Sequence, residues 1–229
     1  SKKGNILLIE GTSNRADKKS LNTVSIWRSV ENNQDTISRG GNDFRNFVID
    51  ENGYQIAYVA ERDSSVKSLE KFYKLWYWQN GSDSAIILAD KNTTGMRLNW
   101  GISENGKPQF SKSGKRLFFG TAPVRPPKDT SLVDIDLVKL DIWHYNDDYL
   151  QPQQLRNLDL ELKRSYTAMY DFRNNRMLQL AGEDMPLLFL SGEGDGDMFL
   201  GVTDVGKRIA AQWLGSTLKD LYAVDADSA

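Results

Sequence analysis

The sequence has no cysteine and a single histidine among its 229 residues. Without cysteine, the chain forms no disulfide, carries no thiolate nucleophile and offers no cysteine ligand for zinc. A histidine-dependent catalytic triad carried wholly by this chain would depend on His144 alone. These two shortages remove several common catalytic and metal-binding arrangements from consideration.

An excess of charge of one sign and long apolar runs are also missing. The 29 basic and 31 acidic residues give a net charge of −2, so we expect no nucleic-acid partner and no electrostatic docking on a membrane. No apolar run approaches the ~20 residues that span a bilayer. Residues 1–4 lack an initiator methionine and a signal-peptide apolar region, and we expect them to be a cut within a longer polypeptide, with any export signal upstream.

The sequence contains a repeated unit. Residues 49–59 align with residues 110–120, so that Gly114 follows Gly53 by 61 positions. Each stretch reads as a strand end, a polar turn closed by its glycine, and a strand rich in aromatic and branched residues. The opening residues 1–9 resemble the second half of this unit. Recurrence of one hairpin at long intervals indicates a repeat architecture.

Strand-like patterns dominate the chain. Between residues 47 and 88 four strands follow one another through polar turns, and Asn80-Gly81 is a strong hairpin signal because both residues tolerate positive φ. Residues 122–127 are proline-rich and are expected to interrupt the pattern, since proline donates no backbone hydrogen bond. One short helix is predicted at residues 150–160. Strands are predicted at residues 5–9, 23–27, 35–38, 47–50, 55–60, 74–78, 85–88, 117–121, 137–143, 165–171, 176–180, 187–190, 199–202, 211–214 and 220–225.

Four antiparallel strands make one propeller blade. We therefore predict an all-β fold, a partial β-propeller of about three to four four-stranded antiparallel blades, with the outermost blades incomplete. The blade units within this single domain are residues 1–40, 41–97, 98–181 and 182–229. An ordinary two-sheet sandwich stays open as the alternative. Aromatic side chains in third-strand-like positions are expected to pack against the neighbouring blade, namely Trp27, Trp76 or Trp78, Trp143 and Tyr222.

The sequence contains no complete motif for nucleophilic catalysis. An α/β-hydrolase needs a Gly-x-Ser-x-Gly elbow, and residues 101–105 come closest but end in Asn105. His144 lies between Trp143 and Tyr145, and we interpret it as a strand-end side chain hydrogen-bonded near a blade edge rather than as a general base. No catalytic residue is assigned.

An acidic run near the end of the chain is a candidate metal site. Glu193, Asp195 and Asp197 alternate with glycines, and Asp204 occupies the twelfth position, as in a calcium-binding loop. The sixth position is Met198 instead of glycine, and no helices flank the segment. A tight acidic turn between two strands therefore explains these residues without metal. The glycines at 192, 194 and 196 lack the Lys-Ser/Thr ending of a phosphate-binding loop. For this segment we therefore predict neither a bound metal nor a cofactor.

A pair of adjacent acids, Asp147 and Asp148, precedes the predicted helix. Paired carboxylates serve glycoside hydrolysis, and some glycosidases are propellers. Two adjacent acids on one loop, however, tend to point in different directions. We predict instead that they cap the helix that begins near Leu150.

Three segments carry a resemblance to a known family. They are Phe-Ser-Lys-Ser-Gly-Lys-Arg-Leu at residues 110–117, Asp-Ile-Trp-His-Tyr-Asn-Asp at 141–147 with Leu-Gln-Pro-Gln-Gln at 150–154, and the group formed by residues 199–204, 212–215 and 220–225. They resemble the β-propeller of the prolyl oligopeptidase family of serine peptidases, in its exported bacterial members.

The resemblance implies a non-catalytic propeller portion that gates and positions peptide substrates. Its partners would be those peptides and a separate α/β-hydrolase domain of the same polypeptide, and its location would be periplasmic or exported. No Glu-Glu pair matches the one that binds the substrate amino terminus in some relatives. Two alternatives remain: a protein-binding scaffold without peptidase activity, or a carbohydrate-active propeller with Asp147, Asp148 or Glu193 as its acids.

Overall fold

The computed structural model describes residues 6–14, 20–63, 68, 70–127 and 141–227. Within these ranges the chain is mostly β-structure with two α-helices. The strands are β1 Ile6–Asn14, β2 Ser20–Arg28, β3 Asn33–Arg39, β4 Asp43–Ile49, β5 Gln55–Glu61, β6 Lys74–Gln79, β7 Ile86–Ala89, β8 Trp100–Ile102, β9 Gln109–Phe110, β10 Arg116–Pro123, β11 Tyr166–Asp171, β12 Arg176–Gln179, β13 Leu187–Phe189, β14 Met198–Thr203 and β15 Asp220–Asp225. The helices are α1 Gln151–Leu162 and α2 Arg208–Leu214.

The strands form four antiparallel sheets that follow one another along the chain. The first sheet has the order β1-β2-β3, the second β4-β5-β6-β7, and the fourth β13-β14-β15. In the third sheet, β12-β11-β10, the strand β10 pairs with two short strands end to end, β9 near its start and β8 near its end. Each sheet is thus a local meander built from consecutive strands.

The four sheets pack face to face in chain order. Alternate side chains of β5 show this most clearly, because Tyr58 joins a core with Ile26 of the first sheet, whereas Val59 joins a core with Phe119 of the third. In the same way Phe118 of β10 packs against Phe199 of the fourth sheet. Side chains alternate between the two faces of a strand, so β5 and β10 each lie between two neighbouring sheets. A sandwich has one such interface, whereas the described residues form three, and the fold is a partial β-propeller.

The 61-residue repeat is confirmed as a repeated hairpin. The backbone N–H of Asp50 donates to the carbonyl of Gln55, whose own N–H donates to the Asp50 carboxylate. At the equivalent positions, the N–H of Ser111 donates to the carbonyl of Arg116, whose own N–H donates to the Ser111 hydroxyl. Gly53 and Gly114 close the turns with φ values of 80° and 71°, in the left-handed region that glycine adopts at little cost.

One predicted strand is wrong, because residues 211–214 belong to helix α2. Alanine, glutamine, leucine and arginine favour a helix, and Gly215 ends it in a left-handed conformation with its N–H bonded to the carbonyl of Ala211. Arg208 also bonds Asp204 one turn earlier, at 2.7 Å. Local helix propensity and capping explain the difference.

Two further expectations about strands need correction. Residues 141–143 are not a strand, and Trp143 is 64% exposed, so it does not pack between blades; residues 137–140 lie outside the described ranges. The proline-rich stretch interrupts less than expected, since β10 continues to Pro123 opposite Trp100. The missing N–H of Pro123 falls at the last residue of the strand, and Val124 then donates to the carbonyl of Asn99 at 2.8 Å.

The other aromatic positions divide between buried and exposed. Trp78 on β6 is buried against the first sheet, as expected, and its indole N–H donates to the carbonyl of Ser82. Trp76 is partly buried on the same face, and Trp27 lies on β2, the central strand of the first sheet. Tyr222 on β15 is half-exposed. Among the described residues no helix has the length and apolar character needed to cross a membrane.

Candidate functional site

A cleft of about 380 Å³ lies between the second and third sheets. It opens where β6 begins, where β8 and β10 end, and beside the last turn of α1. We refer to it as the inter-sheet cleft. Its lining consists of Glu70, Lys71, Phe72, Tyr73, Lys91, residues 101–105, residues 122–127, Leu162 and Arg164.

A hydrogen-bonded group holds Tyr73 at one wall of the inter-sheet cleft. Its hydroxyl donates to Asp43 at 2.6 Å, and the Arg45 guanidinium bonds the same carboxylate oxygen at 2.8 Å. Burial opposes ionisation of Asp43, but these two partners together keep the pKa of Asp43 below its usual value. Burial, followed by the bond to Asp43, raises the pKa of Tyr73. Tyr73 is therefore a neutral, fixed donor at neutral pH.

The other side chains of the cleft mix charge with apolar surface. Lys91 stands over the ring of Phe72 at 3.7 Å, and Arg125 donates to the carbonyl of Glu161 at 3.1 Å. Arg164 is paired with the Glu161 carboxylate, which raises the pKa of the guanidinium. Prolines 123, 126 and 127 line the same space. Such a wall suits a peptide, which presents charged groups, apolar side chains and backbone carbonyls together.

The incomplete nucleophile motif also lies in this cleft. Ser103 is buried, and its hydroxyl accepts a hydrogen bond from the N–H of Asn105 at 3.2 Å. It therefore acts as a turn residue. His144 lies in the exposed loop before α1, where its Nδ1 accepts from the N–H of Asn146 and its ring contacts Tyr145. It is not the strand-end residue that the sequence suggested.

The acidic turn, residues 193–197, binds the hairpin of the third sheet. Glu193 pairs with Lys112 at 2.5 Å, and the Asp195 carboxylate accepts from the N–H and the hydroxyl of Ser113 at 2.8 and 2.5 Å. Burial opposes ionisation of Asp195, but the hydrogen bonds from Ser113 and Ser111 and the charge of Arg116 lower its pKa overall. Bonding to Glu193 raises the pKa of Lys112. Each of these two acids thus has a partner in the neighbouring sheet.

Three more of the candidate acids also have partners. Asp148 bonds Arg208 at 3.1 Å, and Asp204 bonds the same guanidinium. Asp147 accepts from the backbone N–H of His144 at 3.3 Å. The predicted capping role is wrong, because Leu150 is the N-cap residue and neither acid caps α1. No group of three His, Asp or Glu side chains able to hold a metal ion occurs in the part of the chain that the structure describes.

Sequence patterns did not indicate the inter-sheet cleft. Its lining comes from five separate segments, and no motif links Tyr73 to Asp43 or Arg125 to Glu161. The sequence does show the acidic turn as a cluster of acids, but its partners Lys112 and Ser113 lie about 80 positions earlier in the chain. Only the packing of the third sheet on the fourth brings them together.

The class of fold defined by the stacked sheets is the β-propeller, and the described residues form part of one. No protein-family model and no curated protein matches the sequence. Solved structures similar to it include the β-propeller domain of the Trilobed protease from Pyrococcus furiosus, with 11% identity and a TM-score of 0.49 over 96% of this chain and 51% of that chain.

Two further solved structures show lower TM-scores. An acylaminoacyl peptidase of Pyrococcus horikoshii has 13% identity and a TM-score of 0.42 over 97% of this chain and 29% of that one. TolB from Acinetobacter baumannii has 10% identity and a TM-score of 0.39 over 97% of this chain and 41% of its own. The chain thus spans between about a quarter and a half of these structures. The fold assignment stands on the sheet topology, and these similarities add no argument about activity.

Proposed function

We propose that this chain is the non-catalytic β-propeller portion of an exported serine peptidase of the prolyl oligopeptidase family. In this role it restricts and positions peptide substrates for a separate α/β-hydrolase domain of the same polypeptide. The proposal rests on the three sequence segments that resemble that family and on the propeller fold that contains them. The hairpin at residues 110–117, the first of these segments, forms the β9–β10 turn of a blade.

The inter-sheet cleft is the observation that carries a peptide-positioning role. The basic residues Lys71, Lys91 and Arg125 and the acidic residues Glu70 and Glu104 line the same open space. Tyr73 adds a fixed hydroxyl, and Phe72 together with the prolines adds apolar surface. The charged termini of a short peptide, and its charged and apolar side chains, would each meet complementary groups in this cleft.

The parent polypeptide provides the test. We expect it to contain an α/β-hydrolase domain and to cleave peptide amides. Replacing Arg125 by Ser should raise KM severalfold and leave kcat nearly unchanged, because the side chain contributes to binding and lies outside the catalytic domain. Arg156→Ser is the matched control, since Arg156 is exposed on α1 and does not line the cleft. A parent gene without a hydrolase domain would overturn the proposal.

A second candidate function is a protein-binding scaffold without peptidase activity. It is favoured by the exposed apolar side chains on and after α2, where Trp213 is 86% exposed and Leu214 and Leu218 are also exposed. Monomeric proteins rarely expose adjoining large apolar groups without a partner. A parent polypeptide that lacks peptidase activity, and that loses binding to a protein partner on Trp213→Ser, would favour this candidate.

The carbohydrate-active alternative has the weakest support in the geometry. Glycoside hydrolysis needs two carboxyl groups about 5 to 9.5 Å apart on either side of a bond. Asp148 bonds Arg208, Asp147 bonds the backbone of its own loop, and Glu193 bonds Lys112. Titration calorimetry with oligosaccharides tests this alternative, and we expect no heat of binding.

A further inference from the structure

A second opening lies between strand β9 of the third sheet and strand β13 of the fourth. This groove of about 470 Å³ is bordered by Gln109 of β9 and by Leu188 and Phe189 of β13. Its lining also includes Phe118, Leu190 and Glu193. Glu193 is the same residue that pairs with Lys112 across the interface. The groove and the acidic turn therefore share a wall.

Charged groups dominate this interface more than the preceding one. At the interface of the second and third sheets, Gln55 donates to the carbonyl of Gly114 at 3.1 Å, a neutral link. At the next interface, the equivalent residue is the buried Arg116, which donates to the carbonyl of Gly196 at 2.7 Å. Two further polar links, Glu193 to Lys112 and Asp195 to Ser113, stand beside it.

The apolar core at this interface is also the smallest of the three inter-sheet cores among the described residues. Its buried members are Phe118, Met169, Leu180, Phe199 and Ala226. Burial of apolar area is insensitive to salt screening, whereas exposed ion pairs weaken as ionic strength rises. The third and fourth sheets are therefore held together by interactions that depend on salt to an unusual degree for this chain.

We propose that the acidic turn is an electrostatic latch, which holds the fourth sheet closed on the third and widens the groove beside Glu193 when its ion pairs are released. The role of the latch rests on the proposed function, because opening the groove would change the space available to a peptide between β9 and β13. The latch itself is a property of the chain and is independent of any peptidase activity.

The charged groups at the latch come from three sheets. The third sheet supplies Lys112, Arg116, Arg173 and Arg176, and the fourth supplies Glu193, Asp195, Asp197 and Asp227. Glu51 of the second sheet also acts on Lys112. Acids of one sheet thus face bases of the other. Substitution of one acid should loosen the latch without introducing a new buried charge.

Hydrogen exchange measured by mass spectrometry tests the latch. In the wild-type chain, raising NaCl from 0.05 M to 1 M shortens the Debye length from about 14 to about 3 Å and should speed exchange severalfold in residues 187–203. Peptides from β4 to β7 serve as the internal reference. Asp195→Asn should produce the same increase at low salt, whereas Asp63→Asn, which removes an exposed ion pair with Lys74 in the second sheet, should not.

Thiol labelling measures the groove directly, because the sequence contains no other cysteine. A cysteine in place of Leu190 should react severalfold faster at 1 M NaCl, whereas one in place of the buried Ala89 should keep its rate. Hydrogen-exchange and thiol-labelling rates that do not change with salt concentration would overturn the latch. If Asp195→Asn does not fold, Lys112→Gln and the salt series decide. A parent without peptidase activity would overturn only the proposed function.

Discussion

At the scale of single residues, the turns are the most predictable part of this molecule. Gly53 and Gly114 were identified by their spacing, and both close hairpins with positive φ. Asp50 and Ser111, three positions earlier, each accept a backbone N–H with a side-chain oxygen. These features are local, so the sequence suffices. The long-range partner of Gly114, the side chain of Gln55, was beyond prediction because it depends on the packing of two sheets.

Gly114 therefore has two roles that a pair of variants separates. In Gly114→Ala the new Cβ would lie 2.5 Å from the amide nitrogen of Gln55, so the variant combines left-handed backbone strain with loss of the inter-sheet hydrogen bond. We expect a loss of about 2–3 kcal/mol in the free energy of unfolding. Gly81→Ala has similar strain at φ 91° with nothing within 4 Å, and should lose only about 1–2 kcal/mol. Equal losses in urea unfolding would contradict the role of the link.

Tyr77 gives a prediction for alkaline pH. Burial, with a smaller effect from the charge of Asp50, raises the pKa of Tyr77 to about 12, and its hydroxyl donates to Gln55 at 2.8 Å. An unfolded tyrosine ionises near pH 10. The stabilisation from this group is therefore complete below about pH 10 and is lost as the pH rises to about 12.

The stability advantage of the wild type over Tyr77→Phe should accordingly shrink between pH 9 and pH 11. Urea midpoints at the two pH values measure it, and the phenylalanine variant is isosteric except for the hydroxyl. An advantage that stays constant or grows with pH would show that Tyr77 ionises at least as readily in the folded state as in the unfolded state, and would contradict the raised pKa.

At the scale of helices and strands, the sequence predicts most strands and helix α1. The differences from the structure, the longer α1 and the missed α2, have physical causes. Helix α1 spans Gln151–Leu162, two residues beyond its predicted end, and has no buried residue. Helix α2 was missed because a short run with Ile209, Trp213 and Leu214 has no clear strand or helix period. Arg208, at the start of α2, forms ion pairs with Asp204 and Asp148, and these hold the helix in place.

Two tryptophans separate the helical from the strand interpretation of residues 211–214. Trp213 is 86% exposed on α2, so Trp213→Ala should change the free energy of unfolding by no more than about 0.5 kcal/mol. Trp78 is buried between the first two sheets, and Trp78→Ala should cost about 3–5 kcal/mol. Chemical denaturation measures both. A large loss for Trp213→Ala would mean that the segment packs into a blade after all.

At the scale of the whole molecule, the propeller arrangement followed from self-similarity, and its details did not. The repeat indicated successive equivalent sheets, and the alternate burial of Tyr58 and Val59 on β5 shows one sheet between two others. The inter-sheet cleft and the acidic latch arise only when distant segments meet at a sheet boundary. A single sequence has no periodic or local signal for such contacts.

A crystal structure of the parent polypeptide would show whether the sheets are stacked as propeller blades. We expect β5 to pack Tyr58 against the first sheet and Val59 against the third, with Gln55 bonded to the carbonyl of Gly114 and Arg116 to that of Gly196. Two sheets that enclose one shared core, with one face of β5 open to solvent, would rule out the propeller.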